Sequence, residues 1–210
     1  MSRKTDRPRR AAAPTSTRDR LVAAGIELFQ RQGMAATGIK QILAMADARF
    51  SSLYHHFPGG KDELAAEVIR TAGVGYQRHV EEVWDQAADT VASMSAVFEG
   101  AAAVLELSDY ADVCPVGTVA MEVASTNEPL RLATADVYRS WLDAAQARFS
   151  AAGLDTEEAR QLSLTVVALL EGAFVVCRAC RSTEPMLAAG EMAARLVNEA
   201  LRAIAQGSLR

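Results

Sequence analysis

Four apolar segments with helical spacing follow one another between Thr17 and Ile69, parted by breaks of only a few residues. Ser16 and Asp19 fit a capping box, in which each side chain bonds the other residue's backbone amide at a helix start. Leu21, Ala24, Gly25, Leu28 and Phe29 then recur at the interval of one helix face, and Gly33 stands where a C-cap glycine belongs. Thr37 is placed to cap a short second helix carrying Ile39, Ile42, Leu43 and Ala46. Asp47-Ala48-Arg49 interrupts it. A third short helix carries Phe50, Leu53, Tyr54 and Phe57 until Pro58 and Gly59 end it, and Lys61 opens a longer helix through Leu64, Val68 and Ile69. Two short helices joined by a tight turn and braced by a longer first helix form a helix-turn-helix unit.

The rest of the chain keeps helical periodicity and shows little strand signal. Helices are expected over 80–107 (with a break near Asp89), 115–125, 128–152, 156–181 and 185–205. In SAAGLDTEEA, Gly153 is expected to end one helix and Thr156 to cap the next, with Glu157 and Glu158 suited to its positive end. The expected fold is all-α, with a disordered basic arm over 1–14, a helix-turn-helix domain over 15–69 and a larger helical domain over 70–210. With 50% hydrophobic and 23% charged residues in 210, the chain has the composition of a soluble globular protein.

Charge is divided unevenly along it. Residues 1–61 hold 11 Lys+Arg against 4 Asp+Glu, whereas residues 62–210 hold 11 against 22. A basic segment on an acidic body implies that one part meets a polyanion and the rest does not. MSRKTDRPRRAAAP is charged but has no apolar core, so it is not read as a signal peptide. Leu162–Val176 is the longest apolar stretch, too short to span a bilayer and interrupted by Glu171, so no membrane partner is expected. Three cysteines do not describe a disulfide framework, and a cytoplasmic location follows.

Individual motifs carry competing chemistries. His55 and His56 are adjacent, but adjacent residues on a helix point about 100° apart and rarely chelate one ion. No cysteine or carboxylate stands at metal-ligand spacing to them, so neither metal nor cofactor is expected. Their alternative roles are split, His55 facing phosphate or a base edge and His56 packing partly inward. Pro58-Gly59-Gly60-Lys61 lacks the spacing and the hydroxyl residue of a nucleotide phosphate loop, since Asp62 follows the lysine and a helix precedes it. A backbone phosphate of DNA suits it better, with Lys61 and the start of the following helix aimed at an anion. Cys177 and Cys180 form a CxxC in mid-helix, read as a buried or interface pair of small apolar residues in preference to redox or zinc chemistry.

Thr37, Ile39 and Ile42, followed by SLYHHFPGGKDEL directly after the turn, resemble the DNA-binding domain of the TetR family of bacterial transcriptional repressors. That pattern runs S-x-Y-x-x-F-x-x-K-x-x-L, matched here by Ser52, Tyr54, Phe57, Lys61 and Leu64. The resemblance covers roughly Thr17 to Ile69. CPVGTVAMEVAS (Cys114–Ser125) and FPGGKDEL are similar to a subgroup typified by lincomycin-resistance and flavonoid-responsive repressors. Two departures stand out. Asp47 occupies the turn position usually held by glycine, and aspartate tolerates a left-handed backbone better than most residues. Arg49 and Phe50 stand where the family tends to have a small residue followed by a basic or small one at the start of the recognition helix, so no relative's operator can be copied.

The resemblance implies double-stranded operator DNA as a partner, contacted by Thr37, Lys40, Arg49, Phe50, Ser51, Ser52, Tyr54, His55 and Lys61. Hydroxyls of Thr37 and Tyr54 would fix register on phosphates. Base readout would fall to Arg49, which can grip a guanine edge, and to Phe50, Ser51 and His55. Phe50 is alternatively a core residue, and exposed phenylalanine is costly without a partner. The resemblance also implies an effector cavity, for which Trp84, Phe98, Met121, Tyr138, Trp141 and Phe174 are candidates, with Glu122 and Arg178 as polar groups; each aromatic is otherwise core. A homodimer is implied as well. The helix over 156–181 is apolar nearly all round, and Leu162, Val166, Leu169 and Leu170 with Leu196, Val197, Leu201 and Ile204 are expected at a four-helix interface.

The function expected is thus a ligand-responsive transcriptional repressor, not an enzyme, released from a palindromic operator by a small apolar or aromatic effector. The alternatives are a helical protein–protein adaptor, or a small-molecule-binding or enzymatic helical protein without specific DNA binding.

Overall fold

The structure, a computed structural model, describes residues 16–207; the basic arm expected over 1–14 lies outside them. Among the described residues all regular structure is helical: α1 (Thr17–Gln32), α2 (Ile39–Met45), α3 (Phe50–His56), α4 (Lys61–Gln86), α5 (Thr90–Leu107), α6 (Pro115–Val123), α7 (Glu128–Ala151), α8 (Thr156–Cys180) and α9 (Glu184–Gly207).

The head is built by α1 to α3 on the first turns of α4. Both bonds of the expected capping box form, with Asp19 N donating to Ser16 Oγ at 3.1 Å and Ser16 N to Asp19 Oδ2 at 3.3 Å. Leu21, Phe29, Ile42, Leu53, Phe57 and Leu64 are buried together, so the apolar face of each short helix is held by the other three. Asp47 adopts φ 46°, the left-handed turn expected of it. The Arg20 guanidinium fastens that turn to α1 by donating to Ala46 O at 2.9 Å and Asp47 O at 3.4 Å.

Two expected caps are corrected. Gly38, not Thr37, precedes α2, and Gly38 N donates to Gln41 Oε1 at 2.8 Å. Asp155, not Thr156, caps α8, with its side chain accepting from Glu158 N at 2.9 Å. The Thr37 hydroxyl is taken by Gly33 O, and Thr156 is already the first residue of α8.

In the body, α4 crosses position 69/70 without interruption, so head and body share one 26-residue helix where a domain boundary was expected. The break near Asp89 is present, with Asp89 capping α5 by accepting from Ala92 N at 2.8 Å. The main pairings are α5 with α9, α7 with α8, α8 with α9 and α4 with α7. Trp141 of α7 is buried against α4 and donates Nε1–H to Gly73 O at 3.0 Å.

The apolar stretch Leu162–Val176 lies inside the longer helix α8. By length and composition alone, α5 and the 25-residue α8 could each cross a membrane. In this fold, however, α8 packs on α7 and α9 and turns Ser163 and Glu171 toward the interior.

Burial divides the residues expected at the dimer surface. Leu162, Val166, Leu170 and Val197 face the core of their own chain and are closed to a second one. Leu169, Leu196, Leu201 and Ile204 are half-buried against that core. The uncovered stripe of α8 consists instead of Leu164, Ala168, Gly172, Val175, Val176 and Ala179, and Leu187 and Met192 are exposed on α9.

Candidate nucleic-acid interface and ligand cavity

Leu53 and Phe57 anchor α3 in the head, which turns Phe50, Ser51, Tyr54 and His55 outward; Arg49, at its N-cap, is exposed too. Phe50 is 53% exposed and Tyr54 44%, with their ring centroids 5.4 Å apart. This settles the alternative for Phe50, which is a surface residue. Ser52 and His56 are half-buried flanking positions. Among the described residues Arg49 takes part in no ion pair, so its guanidinium remains available to an external acceptor. Lys40 is exposed on α2, and Lys61 opens α4. The acidic groups next to Lys61 are occupied elsewhere: Asp62 accepts from Asn127 Nδ2 at 2.8 Å and Glu63 from Gly59 N at 2.7 Å.

Thr37 departs from expectation. Its side chain is fully buried, with Oγ1 donating to Gly33 O at 2.6 Å and accepting from Gln32 Nε2 at 3.2 Å, so it presents no hydroxyl to a phosphate. It works as an internal brace at the end of α1. The His55 and His56 rings meet edge to face at 4.9 Å, and no group of three or more potential metal ligands occurs among the described residues. Sequence reasoning missed Arg18, whose guanidinium lies 5.4 Å from the Phe57 ring centre and pairs with Glu67 at 2.9 Å, bracing the recognition helix from behind.

A cavity of about 520 Å³ opens between α6, α7 and α8. Of the expected lining residues, Met121, Tyr138, Phe174 and Arg178 are there, together with Val113 and Val175. Trp84 and Trp141 instead line a smaller cavity of about 80 Å³ on the α4 side, with Tyr76. Phe98 belongs to the core, pressed against Gly190 of α9, and does not reach the main cavity. Glu122 is also misplaced by sequence reasoning: it lies on the outer side of α6 and accepts from Ala35 N at 2.9 Å in the α1–α2 connection. Gly33 turns there with φ 81°, and the Glu122 carboxylate occupies the space that a side chain at 33 would need.

The polar group that sequence reasoning left out is Glu171, which lines both cavities. The Cys114 thiol and the Tyr138 hydroxyl lie beside its carboxyl, and Gly117 leaves room for it. Burial pushes the Glu171 carboxyl above its ordinary range, opposed by those two polar neighbours. Burial likewise raises the Cys114 thiol and the Tyr138 and Tyr76 phenols, so these neighbours keep their protons. The available signal was a lone carboxylate inside an otherwise apolar run. Cys177 is buried while Cys180 is exposed, so the two are not buried together within the chain; the cysteine in the cavity wall is Cys114.

Arg178 joins the cavity to the head. From the cavity wall its guanidinium donates to Gln30 O at 3.3 Å and to Arg31 O, the carbonyls that end α1. A cation is favoured there by the negative end of the helix dipole. Thus α8 grips the end of α1, and α6 grips the α1–α2 connection through Glu122 on Ala35 N.

Both parts of the chain resemble known proteins. Residues 21–68 match the tetR family of bacterial regulatory proteins, and residues 90–192 match the C-terminal domain of LmrA/YxaF-like transcriptional regulators. The transcriptional regulator YxaF of Bacillus subtilis is 30% identical over 183 residues, covering 87% of this chain and 96% of its own. The transcriptional regulator LmrA of the same organism is 28% identical over 171 residues, covering 81% and 91%. The transcriptional repressor DhaR of a Mycobacterium species is 23% identical over 180 residues, covering 83% of this chain and 88% of its own. Among solved structures, a TetR regulatory protein from Rhodobacter sphaeroides superposes with a TM-score of 0.77 at 18% identity, covering 87% of this chain and 99% of that one. A TetR regulator from Legionella pneumophila gives 0.75 at 18% identity, covering 86% and 97%.

Proposed function

Because this chain belongs to the tetR family of bacterial regulatory proteins, and is a transcriptional regulator with a helix-turn-helix head, we propose that it acts as a homodimeric repressor released from its operator by a small, largely apolar effector. It works in the cytoplasm, where operator DNA is found. Two heads enter successive major grooves of a near-palindromic site, each presenting Arg49, Phe50, Ser51 and His55 to base edges. Tyr54, Lys40, Lys61 and Ser52 set the register on phosphates. The name of the DhaR relative states a repressor role for that protein, which supports the same sign of regulation here.

The observation that carries the ligand response is Arg178, a single side chain that lines the cavity and bonds the end of α1. A ligand filling the cavity displaces α8 or the guanidinium, and the grip on the head changes with it. An effector coupling of about 1–3 kcal/mol loosens DNA binding about 5–150-fold.

Substitutions in the head separate reading from gripping. R49A is expected to relax the preference at one base position of each half-site, worth about 1–3 kcal/mol of discrimination. The double variant Y54F/K61A is expected to weaken binding to all sequences alike. Competition binding against single-base operator variants checks both, and an unchanged preference in R49A would remove that residue from base readout.

A further inference from the structure

Glu171 lacks the counter-charge that a buried carboxyl ordinarily has. It takes part in none of the ion pairs among the described residues. Each cavity it borders has one basic residue in its wall, and each is committed elsewhere: Arg178 to the carbonyls of Gln30 and Arg31, and Arg148 to Asp85. Its polar neighbours, the Cys114 thiol and the Tyr138 hydroxyl, are neutral and do not balance its charge. The surrounding wall is apolar and aromatic, with Phe174 and Tyr138 facing the main cavity.

Taking the cavity between α6, α7 and α8 as the effector site, we propose that the effector is an organic cation, a protonated amine on an apolar body, with its nitrogen seated against the Glu171 carboxylate. A buried carboxylate is strongly disfavoured without a partner, and an entering ammonium supplies both the missing charge and an N–H donor for the remaining lone pairs. Aromatic side chains in the same wall, Tyr138 and Phe174, favour the same charge. An anionic ligand of the same shape meets repulsion, and a neutral one leaves the carboxyl uncompensated. Burial that raises the carboxyl is consistent with a site whose charge awaits a ligand. A volume of about 520 Å³ is in the range of pockets that hold drug-sized molecules, so the apolar body can be two fused rings or more.

The test uses three fluorescent naphthalene probes of one shape on the purified full-length dimer: 2-(2-naphthyl)ethylamine, 2-(2-naphthyl)ethanol and 2-naphthylacetate. The amine is expected to bind about tenfold or more tightly than the alcohol, and the carboxylate most weakly. In E171Q the amine is expected to lose about tenfold in affinity while the alcohol changes by less than about twofold. The order of the three probes on the unsubstituted protein is a test in itself, whatever the fold of the variant. Alcohol binding as tight as the amine would overturn the cation proposal while leaving the cavity as the effector site. Failure of all three probes to bind would overturn the effector site as well.

Discussion

The double substitution L164E/V176E is expected to give a folded monomer whose affinity for a two-half-site operator is lower by about 10²–10⁴-fold. Leu164 is 46% exposed and Val176 45%, on the one face of α8 that its own chain leaves bare. Neither lines the main cavity, and neither belongs to the buried core. In a dimer closed through this stripe, the symmetry axis brings the same patch of both chains together, so each added carboxylate is desolvated near its symmetry mate. In the free chain the same carboxylates remain in water at little cost. Each head alone keeps its contacts with one half-site, and what disappears is the gain from tethering two. Light scattering reads the mass, and fluorescence anisotropy on operator DNA reads the affinity. L170E makes the contrast, because Leu170 faces the protomer's own core and a charge there destabilises the fold itself. A dimer that survives L164E/V176E would place the interface elsewhere.

R178A is expected to leave operator binding nearly intact while removing most of the effector response. Arg178 is half-buried, far from the surface of α3 in sequence and in fold, and touches no group proposed to meet DNA. Its hydrogen bonds to the last carbonyls of α1 are charge-assisted and lie at the negative end of that helix. Without them α8 keeps its packing through Phe174 and Cys177, but movement of the cavity wall no longer pulls on the head. The ratio of operator affinities without and with a compound that releases the unsubstituted protein is expected to fall from about 5–150 toward one. Hydrogen exchange at the C-terminal turn of α1 is expected to quicken in the same variant. A retained response together with unchanged exchange would assign the coupling to the remaining tie, Glu122 on Ala35 N, or to α4.

Local signals in the sequence located nearly all of the fold. The capping box at Ser16 and Asp19, the left-handed Asp47, the break at Asp89 and the helix junction at Gly153 are decided by residues within a few positions of one another, and each is where its pattern placed it. Errors arose where the outcome depended on partners distant in sequence. Helix α8 is apolar nearly all round, so its periodicity does not say which side meets its own chain, and Leu162, Val166 and Leu170, assigned to the dimer, proved to be core. Thr37 has the chemistry of a cap or a phosphate ligand, yet the Gly33 carbonyl captures its hydroxyl. Glu122 and Glu171 are both carboxylates in apolar helices, and only the packing of α6 and α8 turns the first toward the head and the second into the cavity. The recognition helix was easier to read because Leu53 and Phe57 fix its buried face and leave the rest outside.

The most direct test is a salt titration of binding to two duplexes, one selected from random DNA by this protein and one a scramble of it. A sequence-reading dimer is expected to bind the selected duplex about 10³-fold or more tightly than the scramble. Its affinity should fall steeply with salt, by about 0.9 log units per log unit of salt for each phosphate contacted. Equal affinity for the two duplexes at low salt, or no binding to either, would contradict a role as a sequence-specific regulator.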